Sequence, residues 1–223
     1  LTTALSLPTD AFTVEMRFKA DSWNAGTLLD APGALRVSTT GKTVAATLTG
    51  SAGTVSVESG SIADAMWHHL AITYDADMFS LYVDGALAAT SAAQGSMVPA
   101  TAGVTVGAVV RGGKVSAAVN GYIDELAVWA VSRSAADVAA TKAGGLSGSE
   151  SGLLTLHTFN LGGDVPSSLA SYDATSNQMD AFRGTLNTAG VSAGIMAEYP
   201  TYVASTDVFG NAFSVDEDTS VDY

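Results

Sequence analysis

One carboxylate stands where carboxylates are costly. Asp124 interrupts Tyr122–Trp129, a run that is otherwise apolar except for its neighbour Glu125. Buried without a partner, such a group costs free energy, so it needs either amide donors from a loop or a cation. Calcium binds carboxylate and backbone carbonyl oxygens and is the economical cation, so Ca2+ is the expected cofactor. A second acidic group, Asp216-Glu217-Asp218, sets three carboxylates side by side. Asp216 and Asp218 read either as ligands of a shared calcium at a junction between modules or as part of a solvated tail. A third feature is Trp23-Asn24, inside the polar segment Asp21–Gly26. An indole face there can stack on a sugar ring while the amide bonds its hydroxyls, or the loop can simply pack.

Catalytic constellations fail on context. Gly190-Val191-Ser192-Ala193-Gly194 fits G-x-S-x-G, but in that fold the histidine follows the serine, and the last histidine here is His157. No βαβ pattern surrounds it. The E-x-D-x-x-E signature of jelly-roll glucanases is absent, so paired carboxylates for glycoside hydrolysis have no evident home. His68 and His69 are adjacent on strand-like text and point to opposite faces, so they cannot share a metal. No P-loop, zinc spacing or EF-hand loop appears.

The elements that must position these residues are strands. Phe12, Val14, Met16 and Phe18 alternate with Thr13, Glu15, Arg17 and Lys19, the period of a half-buried strand. Thr27–Asp30 and Ala34–Ser38 flank the turn Ala31-Pro32-Gly33, and Val44–Thr49 and Thr54–Glu58 flank Gly50–Gly53. Leu70, Ile72 and Tyr74 lead to Phe79, Leu81 and Val83, after which Asp84-Gly85 closes the strand with a hairpin dipeptide. A short strand follows at Val104–Val106, a longer one at Tyr122–Trp129 and another at Leu153–Phe159. A single helix is expected over Ser134–Ala143, capped by Ser134, with Asp137 in its first turn and Gly144-Gly145 as the stop. Many strands about ten residues apart with one short helix predict an all-β, two-sheet antiparallel sandwich or jelly roll.

Composition agrees. Charged residues are only 14%, against roughly 25% in ordinary soluble domains, so Thr, Ser, Gly and Asn must face the solvent. Nine basic residues against 22 acidic ones give a net charge of −13, which repels phosphate backbones and anionic membranes. There is no cysteine. No run approaches the roughly 18 apolar residues of a membrane span. The chain opens at Leu1 in strand-like text, and it is expected to continue a longer protein whose export signal lies upstream.

Specific residues then carry a family likeness. Trp67-His68-His69-Leu70-Ala71-Ile72-Thr73-Tyr74-Asp75, followed by Leu81-Tyr82-Val83-Asp84-Gly85, resembles the laminin-G-like, concanavalin A-like jelly rolls of bacterial surface proteins. Asn120-Gly121-Tyr122-Ile123-Asp124-Glu125 resembles the N-G-x-I-D-E strand of that family, with the short helix after it, and Phe12–Lys19 resembles an earlier strand. Gly152–Asn160 resembles the G-L-x-x-Y-x-F-D segment, but His157 stands for the usual aromatic and Asn160 for the usual acid. Phe213–Val221 resembles the opening of the immunoglobulin- or cadherin-like repeats of long bacterial adhesins. The resemblance implies that Asp124 ligates a structural calcium near the sandwich edge.

The expectation is therefore one concanavalin A-like domain over residues 1–203, with 146–203 completing the sandwich, and an acidic linker over 204–223 leading to a following repeat. As a function it implies a non-catalytic, calcium-dependent binding module of an extracellular adhesin at the bacterial surface. It would be monomeric and recognise carbohydrate or protein on a cell, with Trp23 and Asn24 in contact. Nucleic acid and membrane insertion are not expected. The rival readings are a structural spacer and, further off, a polysaccharide-active enzyme.

Overall fold

In the computed structural model, residues 5–62 and 64–159 are described in full. The backbone is also described at Thr2–Thr3, Ala170–Ser171, Ala181–Phe182, Ser205–Thr206 and Ala212–Phe213. Six strands form one antiparallel sheet: β2 (Phe12–Ala20), β7 (His68–Tyr74), β8 (Met78–Val83), β9 (Ala86–Ala92), β13 (Gly121–Trp129) and β14 (Leu153–His157), in the order β14-β13-β2-β7-β8-β9. The facing sheet is built on β3 (Gly26–Ala31), β4 (Leu35–Thr40), β5 (Thr43–Gly50), β6 (Gly53–Glu58) and β10 (Thr105–Val106). The short β1 (Thr2–Thr3), β15 (Ala170–Ser171) and β16 (Ala181–Phe182) extend it to the order β15-β16-β1-β10-β3-β4-β5-β6. A separate hairpin joins β11 (Val109–Arg111) to β12 (Lys114–Ser116), and Ser205–Thr206 pairs with Ala212–Phe213. One helix, α1 (Ala135–Ala143), follows β13. This is the expected all-β, two-sheet jelly roll.

Alternation makes the sandwich. Phe12, Val14, Met16 and Phe18 of β2, Leu70, Ile72 and Tyr74 of β7, and Val37, Ala46 and Leu48 of the facing sheet share one buried core. Large apolar side chains taken from water on both inner faces stabilise the fold, each contributing roughly 1.5–3 kcal/mol. The Asp84-Gly85 dipeptide makes its hairpin turn with φ of 50° and 78°, the positive pair that a type I′ turn requires. Helix α1 begins as expected: Ser134 Oγ accepts the amide of Asp137, and the Asp137 side chain returns a bond to the Ser134 amide.

The outer faces of the two sheets differ. The outer face of the six-stranded sheet is covered by α1 and its flanking loops. Ala71 and Tyr82 pack on Val138, while Ala127, Trp129, Leu153 and Leu156 form a second small cluster. Glu15 is buried here, with its carboxylate taken by Arg133 on one oxygen and by His69 Nε2 at 3.1 Å on the other. Arg133 also donates to Thr141 of the helix and lies 4.0 Å above the Trp129 ring. Trp129 is buried in this second cluster, beneath Arg133, and outside the core between the sheets. On the facing sheet the β11–β12 hairpin reaches the outer side of β3 and β10 through Arg111, while the outer side of β4, β5 and β6 alternates exposed and half-exposed positions.

Candidate functional site

Asp124 is fully buried. It pairs in register with Arg17, on the helix side of the sheet, immediately before a bulge that puts Glu125 at φ 46°. Its Oδ1 accepts the amide of Glu125 at 2.7 Å, and Glu125 in turn binds Arg17 Nε at 2.6 Å. The acid is thus part of the hydrogen bonding of a bulged strand. Among the described residues, no group of three or more His, Cys, Asp or Glu side chains is placed to hold a metal ion. Asp216 and Asp218 lie outside the described residues.

Trp23 is half-buried rather than fully exposed. Its ring meets Phe18 edge-on, with centroids 5.7 Å apart, and Nε1 donates to the Asp64 carbonyl at 3.1 Å. Asn24 is exposed; its amide reaches Ser22 Oγ at 3.3 Å and its carbonyl accepts Thr39 Oγ1 at 2.7 Å. Beneath this loop His68 is clamped between two acids, Nδ1 to Asp84 and Nε2 to Asp64, both at 2.9 Å. Burial of the ring disfavours its charged form. The hydrogen bonds and charges of Asp84 and Asp64 outweigh that and hold its pKa above the ordinary 6.5. His69 points to the opposite face, toward Glu15.

The outer face of the second sheet offers a different constellation. Register places Thr105, Asp30, Arg36, Thr47 and Ser56 in one row across five strands, all on the outer side. Ser38 and Glu58 stand in the next row, and Thr49 and Thr54 in another. The row is cratered at the Ala31–Ala34 turn by a cavity of about 260 Å³, lined by Asp30, Gly33, Arg36, Thr47 and Thr49 among others. Gly33 makes that turn with φ 81°.

Asp30 is the one acid that lines this cavity. Its side chain is 2% exposed, whereas Arg36 and Arg111 beside it are 50% and 45% exposed. Arg36 presents Nε and Nη2 to Oδ1, each at 3.0 Å. Arg111 Nη2 comes within 2.7 Å of Oδ2 but off the hydrogen-bonding direction. Oδ2 is therefore charge-paired yet makes no hydrogen bond, one of three such buried side-chain atoms among the described residues. Oδ2 is itself covered, against the Arg111 guanidinium, so the polar groups that line the cavity for a ligand are the half-exposed Arg36 and the side chains of Thr47 and Thr49.

Sequence reasoning passed over these residues, although part of the signal was present. Asp30 is the single charge in Thr27–Ala31, the same anomaly that singled out Asp124. The hairpin across Ala31-Pro32-Gly33 places Arg36 opposite it. Arg111 arrives from a distant hairpin, 81 positions after Asp30 in sequence, and no local pattern points to it.

A family model described as the concanavalin A-like lectin/glucanases superfamily, of laminin G type, matches residues 1–139. No curated protein matches the chain. Among solved structures, a candidate carbohydrate-binding protein from Bacteroides ovatus superposes with a TM-score of 0.67 at 19% identity, over 81% of this chain and 55% of its own. The chain thus spans about half the length of that protein. The CBM40 of a Ruminococcus gnavus sialidase, bound to α2,3-sialyllactose, superposes at 0.51 with 14% identity, over 64% of this chain and 94% of its own. At these identities the likeness concerns the fold.

Proposed function

Since the chain belongs to the laminin G-type family of the concanavalin A-like lectin/glucanase superfamily, we propose that it is a non-catalytic module that binds carbohydrate on the open face of its second sheet. One observation carries this reading: the cavity of about 260 Å³ where the half-exposed Arg36, held by the buried Asp30, stands beside Thr47 and Thr49 on a Thr/Ser-paved surface. A sugar offers hydroxyls that both donate and accept, and this surface supplies partners of both kinds. The two structural neighbours, described as carbohydrate-binding, support the same reading. The loop of Trp23 and Asn24, at the other end of β3, is proposed as a second contact.

We extend the proposal to an adhesin context at the cell surface and to calcium as the ion that orders the rim, both on the strength of the sequence resemblance. The test is a glycan array probed with the 223-residue chain, followed by titration of any hit against Thr47→Val and Asp30→Asn. Loss of binding in both variants, with melting behaviour retained in Thr47→Val, supports the reading. Failure to retain any glycan leaves the structural spacer as the better description.

A further inference from the structure

His68 meets two carboxylates at once, and their chemistry fixes its charge. Nδ1 lies 2.9 Å from Asp84 Oδ2, and Nε2 lies 2.9 Å from Asp64 Oδ1. Ionised carboxylates only accept hydrogen bonds, so both nitrogens donate only when the ring is an imidazolium. A neutral ring keeps one donor and turns a lone pair toward the other acid. The two acids are not held alike. Asp84 sits in the β8–β9 turn, where its amide donates to the His69 carbonyl at 2.8 Å and its Oδ1 accepts the His69 amide at 3.0 Å. Asp64 stands outside any strand, in the segment before β7, and its side chain is the more exposed of the two. The bond that a neutral ring gives up is therefore the one to Asp64. That segment also ties down the loop of Trp23, because the Asp64 carbonyl accepts Trp23 Nε1 at 3.1 Å. A second route joins the same residues: Trp23 packs edge-on against Phe18, and Phe18 meets His68 with ring centroids 5.8 Å apart.

We propose that His68 is a proton-operated latch on the Trp23–Asn24 loop, closed while the ring carries its proton and released when the proton leaves. The inference rests on the reading of Trp23 and Asn24 as a ligand contact and adds its regulation by pH. The charges that act on the ring are those of Asp84 and Asp64. From β2 the ring faces Phe18, while Arg17 is paired with Glu125 and Lys19 lies over Tyr122. His69 turns to Glu15 on the opposite face, and Lys142 of α1 approaches the Asp84-Gly85 turn from the helix side. Lys42 meets the Asp64 segment through its carbonyl, which accepts the Ile62 amide, and the Asp21 amide donates to the Asn120 carbonyl. Burial lowers the pKa of the ring, but the hydrogen bonds and charges of Asp84 and Asp64 outweigh it and set it above 6.5. The Met66 amide and His68 set that of Asp64 below 3.8. The latch is closed between these limits and opens as the pH rises through the upper one.

The experiment follows the full chain, labelled with 5-fluorotryptophan, by fluorine NMR between pH 5 and 8.5 with no ligand present. Three tryptophans give three resonances, and Trp23→Phe identifies one of them. His68 is titrated in parallel through its ring protons, assigned by their loss in His68→Gln. The expected result is a Trp23 resonance that moves in a single step with the His68 midpoint, above 6.5. In Asp64→Asn that midpoint falls and the Trp23 step falls with it; in His68→Gln the step disappears. A Trp23 resonance that ignores the His68 titration overturns the latch, as does a step that survives His68→Gln. A His68 midpoint at or below 6.5 overturns it as well. No glycan enters this measurement, so these failures leave the carbohydrate reading standing. A glycan array blank at both pH extremes counts against that reading alone.

Discussion

His68 is bonded through both ring nitrogens to acids that are themselves half-exposed, Asp64 at 52% and Asp84 at 43%. Because its folded pKa lies above the ordinary 6.5, the clamp contributes its full stability below that value and loses it as the pH rises through the raised folded value. Asp64 is shifted the other way by the Met66 amide and by His68, so its share persists until the pH falls below about 3.8. Discounted for solvent exposure, the clamp is worth about 1 kcal/mol, or roughly 2–4 °C in a domain of this size. His68→Gln should therefore melt below the parent by that margin at pH 5.5 and by less at pH 8.5, as read by thermal circular dichroism. Glu15 is a harder case, since it is 1% exposed and relies on Arg133 and His69. Arg133→Ala strands that charge and should cost about 3–5 kcal/mol. If the stranded carboxylate is the cause, Glu15→Gln added to Arg133→Ala recovers part of the loss in urea melts.

Gly121 shows what the N-G-x-I-D-E strand requires. A Cβ on it would lie 2.1 Å from the Lys19 carbonyl oxygen and 2.9 Å from the Ala20 Cα, both backbone atoms of β2. Gly121→Ala must therefore part β13 from β2, and about 3 kcal/mol of stability should go with it. Denaturant unfolding would register this as a lower midpoint at an unchanged slope. At this scale much was legible beforehand. The alternation of Phe12–Phe18, the Asp84-Gly85 turn and the Ser134 cap are local signals, and each appears in the fold. The strand Ala86–Ala92 was not legible, because Ala, Thr and Ser with one Leu carry no apolar alternation; it pairs with β8 by backbone bonds at the sheet edge. The Val109–Ser116 hairpin was missed for a similar reason, its strands being three residues each. The candidate site was less legible than the fold, because Arg111 meets Asp30 only through tertiary packing.

For the molecule as a whole, the acidic excess makes a divalent cation the natural stabilising partner. Calcium bound to the folded chain alone raises stability by RT ln(1 + [Ca]/Kd). The proposal predicts a melting temperature that rises in millimolar calcium and returns with chelator, with a smaller rise in Asp124→Asn. A melting temperature indifferent to chelator removes calcium from the reading. No helix among the described residues is long and apolar enough to cross a membrane. The unequal dressing of the two sheets, one roofed by α1 and the other exposed across β4, β5 and β6, sets the valency of each copy at one broad face. A single module then grips a polymer from one side only, and any strength beyond that single grip is avidity. In a tandem array it would depend on the rotation between successive copies, which decides whether their exposed sheets line up along one strand of glycan or turn away from each other.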